Sequence, residues 1–298
     1  MVATQVLTPG QVWWSAVRPA TLAASLAPVL GGTAIALHDG TVRPLAGAAA
    51  LVVAVAMQLG VNFANDYSDH RRGADSAKRM GPIRAASSGV VAPEHVRLAA
   101  MAAFGVAGLV GAILSLTTDW RLLIVGTGCL LAGWLYTGGP RPYGYMGMGE
   151  VFVFVFFGFV ATCGTVYVEI LRVTPLAILF SVSFGSLATA ILVLNNLRDM
   201  ETDAAAGKRT LATMIGRPRT LYLLVVLACL AFTVPIVVFM THLAAVTVML
   251  VHFGIPIAAV PVRTAFATAS GPALVGALKR MAVAELAFAL LLTAGLVL

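Results

Sequence analysis

The stretch AAALVVAVAMQLGV, residues 48–61, has no charged side chain, yet it runs directly into NFANDYSDHRRGAD, residues 62–75, with three acids and two arginines. The first segment has the composition of a bilayer-crossing helix; the second sets a cluster of ionisable groups at its end. The whole 298-residue chain shows the same contrast. It is 60% hydrophobic and only 10% charged, against about 25% charged residues in a soluble globular domain. Polar surface is too scarce to cover a water-facing fold, so the chain reads as an all-α integral membrane protein.

A bilayer span needs roughly 20 mainly apolar residues. Nine stretches qualify: 20–37, 44–64, 97–117, 121–138, 150–170, 175–196, 220–240, 243–262 and 280–298. They read as helices, since none has the short alternating pattern of a membrane barrel. The expected organisation is one transmembrane domain, residues 1–298, with a four-helix unit repeated at about 18–140 and 150–262 and a final helix after it. The N-terminal MVATQVLTPGQVWW lacks the basic start, short apolar core and cleavage site of a secretory signal. Cys129, Cys163 and Cys229 fall inside spans as small buried hydrophobes, with neither metal spacing nor a disulfide pattern.

Nine spans place alternate connections on opposite sides of the bilayer. Sixteen of the 19 Lys and Arg residues then fall on one side, leaving Arg43, Arg121 and Arg172 on the other. The positive-inside rule puts the first side in the cytoplasm, in a multi-pass protein of the cell (inner) membrane with its N-terminus in and its C-terminus out. The same asymmetry accounts for the net charge of +7, so no nucleic acid partner is needed to explain it.

Eight of the twelve acids lie on that side as well, and they form two matched clusters. One ends the second span; the other, NNLRDMETDAAAGKRT at 195–210, ends the sixth. In each, an asparagine stands one helical turn before an aspartate: Asn62 before Asp66, and Asn195 or Asn196 before Asp199. A second acid follows on the same helical face, Asp69 at i+3 and Asp203 at i+4. A glycine and a basic pair come next, Gly73 with Lys78 and Arg79, and Gly207 with Lys208 and Arg209. The repetition suggests an internal duplication with two acid-rich helix ends facing one cavity.

Carboxylates one turn apart repel unless positive charge lies between them. The expected remedy is a divalent cation, and oxygen-only ligation favours magnesium or calcium over zinc. Magnesium completes its shell with water and phosphate oxygens, and the neighbouring Lys and Arg would hold the remaining phosphate charge. The reading is therefore a diphosphate site at the cytoplasmic membrane surface. A single DYSD at a helix end is ordinarily a solvated cap. Two copies at equivalent positions, with asparagines inside apolar runs that need a partner or a function, point further.

These residues resemble the UbiA superfamily of intramembrane prenyltransferases. NDYSDHRRGAD (65–75) is similar to the family's first aspartate-rich motif and DMETD (199–203) to its second. RPATLAASLAPVLGGTAIA (18–36), YTGGPRPYGYMGMGE (136–150) and NNLRDMETDAAAGKRTLATMIG (195–216) extend the likeness over most of the chain from Arg18 to Gly216. Within the family they resemble the branch that prenylates a dihydroxynaphthoate for menaquinone synthesis.

The resemblance implies nine helices around a central cavity. It also implies Mg2+-dependent transfer of a polyprenyl group from polyprenyl diphosphate to an aromatic acceptor, 1,4-dihydroxy-2-naphthoate, with loss of its carboxylate, in contact with membrane lipid. Asp66, Asp69, Asp199 and Asp203 would be the metal ligands. Asp75 joins them two residues beyond the family's usual third position, which is Gly73 here. Asn62 and Asn196 would orient metal or phosphate oxygens, and Lys78, Arg84, Lys208 and Arg209 would clamp phosphate. Arg18 or Arg141 would meet the acceptor carboxylate, and Glu150 would serve as a base or an ion-pair partner. Tyr67, Tyr136 and Tyr143 would face the allylic cation or the acceptor. The run VFVFVFFGFV at 151–160 offers apolar wall, though most of its rings read as lipid-facing. A different acceptor, such as 4-hydroxybenzoate, keeps the same fold. A transporter with acidic ion sites is the reading from another class, but such sites ordinarily lie near mid-membrane on broken helices.

Overall fold

Proline sets where the helices begin. In the computed structural model, which describes residues 7–73, 81, 83–269 and 271–298, a proline occupies the first turn of α1 (Pro9–Val17), α2 (Pro19–Asp39), α3 (Pro44–Arg71) and α4 (Pro93–Thr118). Its fixed φ suits the first turn, and its missing N–H has no helical partner there in any case. The chain continues through α5 (Leu122–Leu135), α6 (Gly149–Ile170), α7 (Pro175–Ala205), α8 (Leu211–Met240), α9 (Val246–Ala267) and α10 (Gly271–Val297). A short 3₁₀ turn, Tyr143–Tyr145, lies between α5 and α6.

Eight of the described helical runs are long and apolar enough to cross a membrane, α1 and α2 counting as one continuous run, Pro9–Asp39. The stretch expected to span at 121–138 is instead the 14-residue α5, about 21 Å at 1.5 Å per residue and short of a hydrocarbon core of about 30 Å. The last span begins earlier than its hydropathy indicated. Lys279 and Arg280 lie on α10 rather than in a connection before it.

The two acid-bearing helices also run past their expected ends. α3 has 28 residues and α7 has 31, about 42 and 46 Å, so their last turns extend beyond the apolar core and carry the aspartates on helix, not on loop.

The interior explains several local irregularities. Arg18 takes a left-handed conformation, φ 53° and ψ 70°, where it closes α1 and precedes Pro19, the first residue of α2. Its carbonyl accepts from the Thr21 amide at 2.8 Å and the Thr21 hydroxyl at 3.0 Å. Inside α8, Pro235 has no N–H for the carbonyl of Ala231 four residues earlier. Ser183 of α7 donates to that carbonyl at 2.8 Å, and His252 of α9 lies 3.0 Å from the next one, that of Phe232.

α2 lies deep in the bundle because its glycines permit close approach. A Cβ on Gly31 would stand 2.1 Å from the Phe184 ring, and one on Gly32 2.9 Å from Thr165. Phe184, Phe232 and Phe288 meet edge-on behind it, with centroids 5.5 Å apart in each pair made with Phe288, and form the main core between α2, α7, α8 and α10. α6 and α7 cross at Gly158 and Gly185, where a Cβ on Gly158 would come within 2.5 Å of the Ser181 carbonyl. From Phe154 to Cys163, α6 is wound as a π-helix. α2 through α7 leave a cavity of about 900 Å³ between them.

Candidate functional site

The last turns of α3 deliver four polar side chains, each to a different set of partners. Asn62 donates to the Val17 carbonyl at 2.9 Å and the Thr21 hydroxyl at 3.0 Å, and accepts from Gln58 at 3.2 Å. Its amide therefore ties the α1–α2 break to α3, which answers why an asparagine stands in that apolar run. Asn65 accepts from Thr137 at 2.6 Å. Asp66 is fully buried and accepts from the backbone amides of Ala85 at 2.8 Å and Ala86 at 3.2 Å. It is not on the cavity wall and anchors the segment that carries Arg84. Asp69 is on the wall and 2% exposed, with Arg84 at 2.6 Å, Lys208 at 3.2 Å and the Tyr145 hydroxyl all bonded to its carboxylate.

α7 presents the second set. Asn196 donates to Glu150 at 2.9 Å, and the Glu150 side chain is buried away from the cavity wall. Asp199 is gripped by Arg198 through Nε at 2.7 Å and a terminal nitrogen at 2.5 Å, and Arg198 also donates to Asn195 at 2.8 Å. The helix ends at Gly207, where φ is +74°, a conformation that glycine adopts without strain. The Lys208 amide then folds back onto the Asp203 carbonyl at 2.8 Å. This turn brings the Lys208 ammonium 3.8 Å from Asp203 and 3.2 Å from Asp69. One ammonium thus joins both motifs.

This arrangement corrects the electrostatic expectation. The wall acids Asp69, Asp199 and Asp203 face Arg84, Arg198 and Lys208, so the protein's own cations relieve the crowding without a divalent ion. Among the described residues, no three acid, His or Cys side chains stand together as a ready-made metal cluster. Metal would join a site that is already balanced.

The remaining expected residues divide. Arg18, Tyr136 and Tyr143 are on the cavity wall. Arg141 and Arg209 are exposed and off it; Arg209 contributes instead its amide, which donates to the Tyr145 carbonyl at 3.2 Å. Tyr67 packs into the smaller cluster between α1, α3 and α4, where Arg97 lies 6.0 Å from its ring centroid. Asp75 and Lys78 lie outside the described residues.

Tyr145, absent from the sequence expectations, is central. Its hydroxyl holds Asp69 and its ring lies 4.6 Å from the Lys208 ammonium and 5.4 Å from the Arg72 guanidinium. Burial, and then the Asp69 charge, push its hydroxyl above the usual tyrosine range. The only sequence signal for it was its place in the stretch 136–150.

Below this charged end the wall turns apolar. Tyr136, Tyr143, Phe152 and Phe156 form a continuous aromatic strip, with successive centroids 5.4, 4.1 and 5.9 Å apart. Phe152, Phe156 and Phe157 line the cavity, while Val151 and Val155 of the same run are exposed on the outside. At the opposite end stand Asp119, Arg121 and Tyr167, with the Tyr167 hydroxyl donating to Asp119 at 2.7 Å. A ligand matching this space has an anionic head and a long apolar body.

The features define a class: a multi-pass, all-helical membrane protein whose internal cavity joins a charged head-group site to an apolar passage. The chain belongs to the UbiA prenyltransferase family, whose model matches residues 25–273, and is a prenyltransferase. It is 46% identical over 208 residues to the 1,4-dihydroxy-2-naphthoate octaprenyltransferase of Mycobacterium tuberculosis, covering 70% of this chain and 71% of that one. The Bacillus subtilis protein of the same name is 32% identical over 254 residues, 85% of this chain and 82% of its own. The fold matches a UbiA homolog from Aeropyrum pernix (TM-score 0.69, 13% identity, 93% and 96% of the two chains). It also matches one from Archaeoglobus fulgidus bound to DMAPP and Mg2+ (TM-score 0.65, 15% identity, 96% and 99%).

Proposed function

We propose that the chain transfers a polyprenyl group from polyprenyl diphosphate to 1,4-dihydroxy-2-naphthoate, with loss of carbon dioxide, as a magnesium-dependent step of menaquinone synthesis. The observation that carries this reading is the convergence of Asp69 and Asp203 on Lys208 at the charged end of the cavity. The names of the relatives support the acceptor, and the DMAPP and Mg2+ of the Archaeoglobus homolog support donor and metal.

The donor set fits magnesium, which binds through one or two carboxylates: Asp69 and Asp203 offer oxygen only, on the wall, beside the Arg84 and Lys208 cations suited to phosphate, while Asp199 is held by Arg198. Bound there, the metal would supply positive charge against the leaving diphosphate. Arg84 and Lys208, both on the wall, hold phosphate oxygens as the allylic C–O bond breaks and its electron pair leaves with the diphosphate, while Arg198 stays bound to Asp199. Phe152, Phe156 and Phe157 keep water from the allylic carbon, and Tyr136 and Tyr143 flank it with ring faces. Arg18 offers a cation to the acceptor's carboxylate. A carbon–carbon bond forms to the ring, and the carboxylate departs as carbon dioxide, restoring the aromatic system.

The excess of Lys and Arg at the Asp69 end supports a cytoplasmic site in the inner membrane, with the N-terminus inside and the C-terminus outside. The matched motifs ending α3 and α7 support an internal duplication.

The test is mass spectrometry of the product formed by purified protein from dihydroxynaphthoate, a prenyl diphosphate and magnesium. The expected mass is that of the prenyl adduct less carbon dioxide. An adduct that keeps its carboxylate, or one formed only with 4-hydroxybenzoate, overturns the reading.

A further inference from the structure

The three cations that balance the wall acids are held in different ways. Arg198 is locked into its own motif by both oxygens of Asp199 and by Asn195, with a side chain 2% exposed. Arg84 contacts Asp69 at 2.6 Å from the segment anchored by Asp66. Lys208 is looser: its contacts are 3.2 and 3.8 Å long, its side chain is 13% exposed, and it stands at the first turn after α7. A lysine is also a compact charge on a flexible four-carbon stem, free to change partners where an arginine fork is not.

Its position matters as much as its freedom. The ammonium lies between a carboxylate of each motif, where one cation serves both helices. That is also where a divalent ion coordinated by Asp69 and Asp203 would have to enter. The Tyr145 ring, 4.6 Å from the ammonium, supplies a second resting contact for the lysine that no metal uses.

We propose that Lys208 is a displaceable counter-ion and a positioning residue of the site. It holds the place between Asp69 and Asp203 until metal and diphosphate arrive together, and then passes its charge to the diphosphate. The inference rests on the proposed magnesium and diphosphate chemistry, and its consequence is thermodynamic coupling. Metal alone has to evict the ammonium from two carboxylates and leave it with no anion, only the Tyr145 ring. Metal arriving with diphosphate offers that ammonium a new anion, so each ligand tightens the other by the same factor.

The test uses the purified full chain in detergent, with Mn2+ binding read by electron paramagnetic resonance and inorganic pyrophosphate as the second ligand. Wild-type protein should bind Mn2+ weakly alone and more tightly with pyrophosphate. Lys208→Met should bind Mn2+ alone roughly five- to tenfold more tightly than wild type, the scale of one partly buried ion pair. The added pyrophosphate should then tighten it much less. Lys208→Arg, which keeps the charge, should bind Mn2+ alone no more tightly than wild type, and it serves as the folded control should the methionine variant fail to fold. Mn2+ binding by Lys208→Met that is unchanged or weaker, or an arginine variant that binds it more tightly than wild type, overturns the proposal. A lysine that merely stabilised the fold would give loss of metal binding, not gain. Product formation is measured separately, so failure of prenyl transfer and failure of the counter-ion are told apart.

Discussion

Tyr145 donates its hydroxyl to Asp69 while its ring lies beneath the Lys208 ammonium, so a single side chain of the α5–α6 connection touches both acid motifs. The two contacts are separable by mutation. Tyr145→Phe keeps the ring and removes the donor; with hydrogen bonds to charged groups worth about 1.5–3 kcal/mol, kcat/KM should fall by roughly ten- to a hundredfold. Tyr145→Ala should fall further, because the cation also loses its ring. The hydroxyl's pKa is raised, which favours the neutral donor at every working pH. The alkaline limb of the pH–rate profile should therefore be the same in wild type and Tyr145→Phe, as measured by initial rates.

Asp66 and Asp69 should behave differently although they share a motif. An asparagine at 66 has one acceptor oxygen for the amides of Ala85 and Ala86, leaving a buried donor unmet. Asp66→Asn should cost about 1–3 kcal/mol of stability and retain Mn2+ binding. Asp69→Asn should lose Mn2+ binding in the presence of pyrophosphate. Thermal melts and metal titrations on both variants check this.

Asn62→Leu removes the tie between α3 and the break at Arg18. With three hydrogen bonds lost, two donated by Asn62 and one accepted from Gln58, stability should drop by about 2–3 kcal/mol, and KM for the aromatic acceptor should rise as Arg18 loses its support. KM for the prenyl diphosphate should change little. Steady-state kinetics with each substrate varied in turn separates the two.

The tail's path should be blocked by filling the apolar cavity. Gly164 lines it, and a Cβ there would meet nothing within 4 Å. Gly164→Phe should therefore be tolerated by the fold. It should raise KM for a long polyprenyl diphosphate by tenfold or more while sparing dimethylallyl diphosphate, since only the long chain reaches that depth. A competition assay between short and long donors reads the shift.

Removing metal should stop turnover and leave the fold standing. Because Arg84, Arg198 and Lys208 already balance the wall acids, EDTA should abolish product while changing Tm by no more than about 2 °C. Paired activity and melting measurements on one sample check both halves.

Much of the site was legible because its chemistry is written in charge against an apolar background. Asp69, Asp199, Asp203 and Lys208 could be named from two matched motifs, Arg84 only from the family resemblance, and all five line one cavity. Asp66 was not separable from Asp69 by spacing. Three residues on a helix are about 60° apart around its axis, near enough to share a face yet far enough that one meets the 85–86 amides and the other the cavity. Arg198 counted only as a topology charge because its neighbour in sequence, Asp199, gives no hint that the two would pair. Tyr145 was hidden among interfacial tyrosines, of which Tyr67 turned out to pack elsewhere.

Composition and hydropathy by themselves determined an all-helical membrane protein with two acid-bearing helix ends, because a bilayer admits few ways to satisfy a backbone and strands charges at its edges. Only the packing of the helices decided which carboxylates face the cavity and which cations neutralise them. Those outcomes depend on helix rotation and on loops folding back, such as the turn at Gly207 that returns Lys208 to Asp69, and distances between segments more than a hundred residues apart are not encoded in local spacing.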